Sequence, residues 1–349
     1  MDMSPLKIGL LFPQSGPAGL WAPSAQLCAQ LAAEEINATG GVMGRPVELI
    51  AADVGQTAQS AIDAARALRA QEIAVLVGMH PSDQRRAIAG TIGEHCPYVY
   101  TPQYEGGCIE TNVIAIGETA YDLLPPSIDW LVQRRHAQRF YFVGNDYIWP
   151  HLAHRSAKRF VLSKGGKVVG ESFLSFGLED YDQVFAAIRA SNADVVVLCL
   201  LGLEAIHFHR AFVAAGLDHH HLRLATATDE TVLYAIGSES THNLYVTTAY
   251  LSNLSTPNNE RFIEHYYDRF GMHTPIPNAL GESCYEGIHY LSTLMGQAGT
   301  CEAAALRQAT RRRPQPHHSP RRFNGDARPN IYLATAVDLD FRLIAQFDS

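Results

Sequence analysis

The strongest constraint on this chain is a repeat. Short, apolar, β-branched runs alternate with longer amphipathic ones from residue 7 to residue 250. Ile73-Ala74-Val75-Leu76-Val77 is representative. It is too short for a helix and carries no polar face, as a strand buried inside a parallel sheet requires. The segment after it, 83–95, has Ile88 and Ile92 four residues apart, which fits one side of a helix. Parallel strands must be joined by crossovers, and helices supply them. A first series has strands at 7–12, 47–51, 73–77 and from 98, with helices at 20–37, 58–71 and 83–95. The first of these helices puts Leu27, Leu31, Ala32 and Ile36 on one side and ends at Gly40-Gly41. Ile114-Ala115-Ile116 reads as a short apolar link. A second series has helices at 121–136, 151–163, 181–190 and 204–215. Its strands lie at 140–143, 167–173, 195–200, 223–226 and 244–250. Helices near 257–270, 278–297 and 301–312 follow, and strands near 331–337 and 341–346 close the chain. The pattern predicts an α/β protein of two doubly wound parallel-sheet lobes with a ligand cleft between them. The second series runs out of units before the chain ends, so the chain is expected to cross back. Lobe 1 takes 1–118 plus about 251–325, and lobe 2 takes 119–250 plus about 326–349.

Within this frame, Gly78-Met79-His80-Pro81-Ser82 stands where a strand gives way to a helix. That position presents backbone N–H groups and a hydroxyl beyond the carboxyl end of a strand, where ligands of open α/β sheets sit. The plainer reading of Ser82 is an ordinary N-cap. A net charge of −8 and a pI near 6.0 argue against a protein built around nucleic acid. No run approaches the roughly 18 apolar residues that a membrane span needs. The N-terminus enters the first strand without a charged-then-apolar leader, which predicts a cytoplasmic protein, or a periplasmic one whose export signal has been removed. Cys28, Cys96, Cys108, Cys199, Cys284 and Cys301 show no close pairing, and Cys28 and Cys199 fall in apolar runs, a usage that fits a reducing compartment. There is no phosphate-binding G-x-x-x-x-G-K-[ST], no G-x-G-x-x-G after a strand and no G-x-S-x-G elbow, so neither an enzyme nor a cofactor is expected. His207-Phe208-His209 and His219-His220-His221 invite a metal reading. Histidines adjacent on a loop, or two apart on a helix, do not converge on one ion, and no metal site is expected. Arg311-Arg312-Arg313 with Arg321-Arg322 reads as a solvated basic loop.

Four segments carry a family resemblance. Phe12-Pro13-Gln14-Ser15-Gly16 and the stretch from Glu34 to Leu49, with Gly40-Gly41-Val42-Met43-Gly44-Arg45-Pro46 at its centre, resemble the opening of type I periplasmic binding proteins of the branched-chain amino-acid, amide and urea group. Tyr100-Thr101-Pro102-Gln103-Tyr104-Glu105-Gly106 resembles the Tyr-Pro-x-x-Tyr-Glu-Gly of the short-chain amide and urea binders. Gly144-Asn145-Asp146-Tyr147-Ile148-Trp149-Pro150 resembles their Gly-Ser-Asp-Tyr-x-aromatic-Pro. With Thr226-Ala227-Thr228-Asp229-Glu230 the similarity extends from residue 7 to about 300, and it is nearest to the AmiC-like amide sensors that regulate amidase operons.

The resemblance implies a venus-flytrap protein that closes on a small ligand. Ser82 matches a serine that meets the ligand carbonyl, Tyr100 a tyrosine that walls the pocket, and Tyr147 with Trp149 the aromatic pair of the second lobe. Leu201 and Asp229 complete that second-lobe set. His80 stands where the amide sensors have a tyrosine, Pro102 and Gln103 replace a Thr-Pro pair, and Trp149 replaces a tyrosine. These departures leave the ligand open among amides, urea and amino acids. For an amino acid, Asp229 is the candidate partner of the ammonium group. Asp229 and Glu230 have a plainer role as caps of the helix that begins there, and His80 one as a solvated loop histidine. The implied function is an amide sensor acting through an RNA-binding antiterminator. The alternative is the solute-binding component of an ABC importer, whose partner is a permease. Oligomeric state, a homo-oligomer included, is left open.

Overall fold

The structure is a computed structural model that describes residues 4–107, 109–311, 319–320 and 329–348. Its elements run in the order β1 (Leu6–Phe12), α1 (Ala22–Ala38), β2 (Val47–Asp53), α2 (Ala58–Arg69), β3 (Val75–Gly78), α3 (Ser82–Ile92), β4 (Tyr98–Tyr100) and β5 (Val113–Ala115). Next come α4 (Ala120–Arg135), β6 (Arg139–Asn145), α5 (Ile148–Ser163), β7 (Lys167–Leu174), α6 (Asp182–Ser191), β8 (Val195–Cys199), α7 (Gly202–Ala214), β9 (Leu222–Ala225), α8 (Glu230–Ile236) and β10 (Leu244–Thr248). The chain ends with α9 (Pro257–Phe270), α10 (Ala279–Ala298), α11 (Ala303–Thr310), β11 (Ile331–Val337) and β12 (Asp340–Phe347). The segment read as an apolar link near Ile114 is therefore a strand, β5. It pairs in parallel with β4 through Tyr98–Val113 and Tyr100–Ala115, and three residues are too few for its apolar run to look like a strand in sequence. Of the basic run, the residues beyond Arg311 lie outside the described residues.

The chain divides into two compact units. The first comprises Met1–Gln103, Gly107–Gly117 and Leu254–Arg328, the second Tyr104–Gly106, Glu118–Asn253 and Pro329–Ser349. In the first, a five-stranded sheet of order β2-β1-β3-β4-β5 is parallel throughout. Its central strands are apolar on both faces because helices cover both: Leu10, Leu11, Val75, Leu76 and Val77 are all buried. Helix α1 packs along α10, and small residues on it (Ala25, Ala29 and Ala32 are buried) let the axes come close. A β-carbon at Gly281 of α10 would fall 2.2 Å from the Ser24 hydroxyl oxygen.

The second unit has a seven-stranded sheet of order β12-β11-β10-β9-β8-β6-β7. It is parallel from β7 to β10, and β11 and β12 add an antiparallel edge. Both units therefore share one plan. A first strand, β1 or β6, lies between the strand that follows it and the strand after that. Strand order reverses beside it, at β1/β3 and at β6/β8.

At one bend in the first unit the backbone leaves no room for a side chain. A β-carbon on Gly117 would stand 2.0 Å from the Pro102 carbonyl oxygen, so the approach to β5's far end depends on glycine there. Gly90, exposed on α3, has nothing within 4 Å of the same position. Gly117→Ala should therefore destabilise the protein by about 2 kcal/mol or more, whereas Gly90→Ala should stabilise it by about 0.5–1 kcal/mol. Urea denaturation of the two variants checks the sign of each.

Candidate functional site

The candidate residues collect at the carboxyl ends of the strands, and each unit holds its own set. In the first unit, β3 ends at Gly78, and the Met79 N–H donates to the Leu11 carbonyl of β1, 3.0 Å away. That bond fixes the chain across the strand-order reversal just before His80. His80 is 2% exposed, which corrects the expectation of a solvated loop histidine. Tyr98 and Tyr100, two apart on β4, lie on the same face of the strand, and both meet it. The Tyr100 hydroxyl donates to the His80 carbonyl at 2.6 Å, and the Tyr98 hydroxyl bonds to His80 Nε2. His80 Nδ1 lies 3.1 Å from the Pro81 carbonyl. One arrangement satisfies all of these groups: Nδ1 carries the proton and donates to Pro81, while Nε2 accepts from Tyr98. Burial, aided by the Arg85 charge and opposed by the Pro81 bond, lowers the His80 pKa to about 4 and keeps the ring neutral. The rings also explain Gly78, where a β-carbon would fall 2.7 Å from His80 Nε2.

Tyr100 is 1% exposed, and the Arg85 guanidinium sits 5.2 Å from its ring centroid. Arg85 in turn bonds Glu110 at 3.3 Å. Tyr100 is thus part of the wall's support, its hydroxyl already spent on His80. Ser82 also departs from its plain reading. The cap position of α3 is Pro81, which offers no side-chain cap, and Ser82 is the first helical residue. Its side chain is buried and makes no hydrogen bond among the described residues. Pro102 is buried and Gln103 half-buried just after β4.

In the second unit, β6 ends at Asn145, which is fully buried, and its side-chain oxygen accepts the Leu201 N–H at 2.8 Å. This bond spans the β6/β8 reversal. Leu201 stands at the cap position of α7, and Tyr147 at the cap position of α5. Tyr147 is half-buried and Trp149 is 2% exposed, with ring centroids 6.2 Å apart. Phe176, in the loop after β7, stands 5.6 Å from Tyr147 and is 46% exposed. Sequence reasoning missed Phe176. The available signal was an aromatic followed by Gly177, which takes a positive φ of 75° just beyond a strand end.

Asp229 is the N-cap of α8, accepting the Val232 N–H at 3.2 Å. Glu230 is not a cap: it is buried and accepts the Ser252 N–H at 2.7 Å, and burial raises its pKa. Glu204 accepts the Gly177 N–H at 3.0 Å. All three carboxylates near these strand ends thus hold a backbone donor. The second oxygen of Glu230, Oε2, is buried without a partner among the described residues, and so are several donors. Trp149 Nε1 and Asn145 Nδ2 in the second unit, and Trp21 Nε1 in the first, are buried with no acceptor among the described residues. Helices α3, α5 and α7 begin with no side-chain cap, while α2, α4, α8, α9 and α10 are capped by Thr57, Thr119, Asp229, Thr256 and Asn278. Helices α1, α6 and α11 also lack a side-chain cap. Buried donors without partners are costly, and uncapped helix starts attract acceptor oxygens. Of the histidine runs, His209 and His221 are buried and bonded to Thr228 and Ala193. His219 lies with Asp218 and His242, not with the other histidines of its run.

Two α/β units of this strand order, with candidate residues at strand ends, are the features that relatives must share. The family model for periplasmic binding proteins matches residues 5–330. The chain belongs to that family. It is 22% identical over 330 residues, 87% of this chain and 80% of the relative, to a protein of Brucella suis biovar 1 named Leu/Ile/Val-binding protein homolog 7. A leucine-binding protein, LivK, from Thermotoga maritima superposes with a TM-score of 0.83 at 19% identity, covering 98% of this chain and 99% of that one. A solute-binding protein of an ABC transporter from Rhodopseudomonas palustris, solved with 3,4-dihydroxybenzoic acid, gives 0.84 at 18% identity, covering 99% and 98%. The type I binding-protein fold expected from the sequence is the one observed; identities this low speak for the fold alone.

The His80 geometry makes a pH prediction. The folded ring titrates at about 4 and the unfolded one near 6.5, so between these values the unfolded chain binds more protons. Its contribution to stability is complete above about pH 6.5 and is lost as the pH falls toward 4. NMR titration of labelled histidines, with the His80 signal assigned by its loss in His80→Gln, should show that imidazole still neutral at pH 5, as burial also keeps His209; a His80 that titrates near 6.5 would contradict the arrangement.

Proposed function

We propose that this protein is the solute-binding component of an ABC importer, acting in the periplasm, and that its ligand is a small carboxylate with an apolar or aromatic body. Support for the importer comes from the family match over residues 5–330 and from the Leu/Ile/Val-binding name of the Brucella relatives along 87% of this chain. The cytoplasmic amide sensor with an antiterminator partner, first in the sequence reading, gives way to it: no relative described here is named for amides or for regulation. The partner is then a membrane permease, and the protein binds its ligand without transforming it.

The observation that carries the ligand class is the set of donors without acceptors beside the strand-order reversals. Ser82, the uncapped starts of α3, α5 and α7, and the buried N–H groups of Trp149 and Asn145 offer hydrogens, and a carboxylate offers acceptors. Tyr147, Trp149 and Phe176 supply the apolar surface. Their three rings favour a flat ligand such as an aromatic acid. Leucine remains the second reading, with Asp229 serving its ammonium group while capping α8. Ligand contacts are proposed for Ser82, Tyr147, Trp149 and Leu201. His80, Tyr100, Pro102 and Gln103 shape the surface behind Ser82.

Calorimetric titration of ligand-stripped protein with benzoate, 4-hydroxybenzoate, leucine, benzamide and urea tests this. A carboxylate should bind at micromolar concentration while benzamide and urea stay silent; the reverse order would restore the amide reading. Ser82→Ala and Trp149→Phe should each weaken the binding carboxylate by about 1–2 kcal/mol, roughly five- to thirty-fold in Kd. Unchanged affinity in both would remove these residues from the site.

A further inference from the structure

At the opposite end of the second unit's sheet, the loops that lead into β9 and β10 bring together three side chains the function above does not use. Asp218 and His219 lie on a turn of 3-10 helix, Leu217–His219, just before β9. His242 lies two residues before β10. One donor atom from each falls within 4.8 Å of the others. Asp218 Oδ2 is 3.1 Å from His242 Nδ1, and the rings of His219 and His242 have centroids 5.3 Å apart.

The cluster is held in place from below. Arg223, fully buried, donates to the carbonyls of Ser240 and His242 at 2.7 Å each. Asn243 adopts a left-handed φ of 54°, and its side chain donates to the Asp218 carbonyl at 2.9 Å, tying the two loops together. The second oxygen of Asp218 is the telling atom. Asp218 is 2% exposed, and its Oδ1 is buried with no hydrogen-bond partner among the described residues. This carboxylate has the buried Arg223 guanidinium as a charged neighbour, and with one oxygen unpartnered beside two imidazoles that open to solvent it has the chemistry of a metal ligand.

We propose that Asp218, His219 and His242 form a surface site for a late first-row divalent metal ion such as Zn2+. Two imidazoles and a carboxylate suit such ions, whereas Ca2+ and Mg2+ prefer all-oxygen sets. Metal–ligand bonds of about 2.0–2.2 Å need donors nearer to one another than 4.8 Å, and the two exposed histidines close that gap by side-chain rotation alone. Solvent fills the remaining coordination positions, so the ion exchanges. Bound metal would pin the β9 and β10 loops to each other and stabilise the fold by mass action. His220, exposed between His219 and the inward-facing His221, takes no part.

Titration of the full, tag-free chain with Zn2+ alone, against a chromophoric chelator, tests the assignment. One tight equivalent is expected, with a rise in Tm on loading. His219→Ala and His242→Ala should each weaken that equivalent at least ten-fold and remove the rise in Tm, while His220→Ala leaves both within two-fold. All three residues are exposed, so the variants should fold. Absence of a saturable equivalent in the wild type would overturn the proposal, as would an equivalent that survives in both His219→Ala and His242→Ala.

Discussion

Reversal of strand order organises both units. Where β1 has β2 on one side and β3 on the other, and β6 has β7 and β8, the successive crossover helices leave for opposite faces of the sheet, and the chain parts at the strand ends. Backbone groups there have no neighbouring strand to complete them. The protein closes the gap with two specific bonds, Met79 N–H to Leu11 in the first unit and Leu201 N–H to the Asn145 side chain in the second. The residues that follow these bonds, His80 to Ser82, Leu201 and, just after Asn145, Tyr147 to Trp149, are the ones for which a ligand-facing role is proposed.

Charge is handled locally wherever it is buried, and this sharpens the contrast with those strand ends. On α1, Glu35 overcomes its burial by accepting from His289, His265 and Tyr285, which hold its pKa at about 2. Glu171 is held equally low by His154 and Lys158. Carboxylates near the second unit's strand ends take backbone N–H groups in the same way. Among the buried groups left without a partner are two donors beside the second unit's strand-order reversal, Trp149 Nε1 and Asn145 Nδ2. The unmatched donors of Trp149 and Asn145 lie at one end of the second unit's sheet and the Asp218 Oδ1 oxygen at the other, the two places for which ligands are proposed above.

Local pattern made the framework legible. The buried strands β1, β3, β6 and β8 are apolar runs, and α9, α10 and α11 lie close to where their periodicity places them. Three-residue β5 was hidden because so short an apolar run looks like any link. Function-bearing detail depended on distant partners. His80 could be read as a ligand contact or as a solvated loop residue, because nothing near it in sequence announces that Tyr98 and Tyr100 will cover it. Ser82 looked like a cap because spacing cannot show that Pro81 takes that place. Phe176 and the Asp218–His242 pair join their clusters only through the sheet's strand order. Family resemblance brought Tyr147 and Trp149 to notice, but a motif shared by amide and amino-acid binders does not reveal which donors the fold leaves unused.

The central claim is that the ligand is received by the uncapped helix starts and free donors beside the two strand-order reversals. Hydrogen–deuterium exchange tests this most directly, comparing the stripped protein with protein saturated by whichever of benzoate and leucine binds more tightly. The account predicts slowed exchange over residues 79–85, 145–150 and 200–205, with little change at 217–221 and 240–243. Protection confined to the strands' amino ends, with the first three segments unaffected, would contradict it.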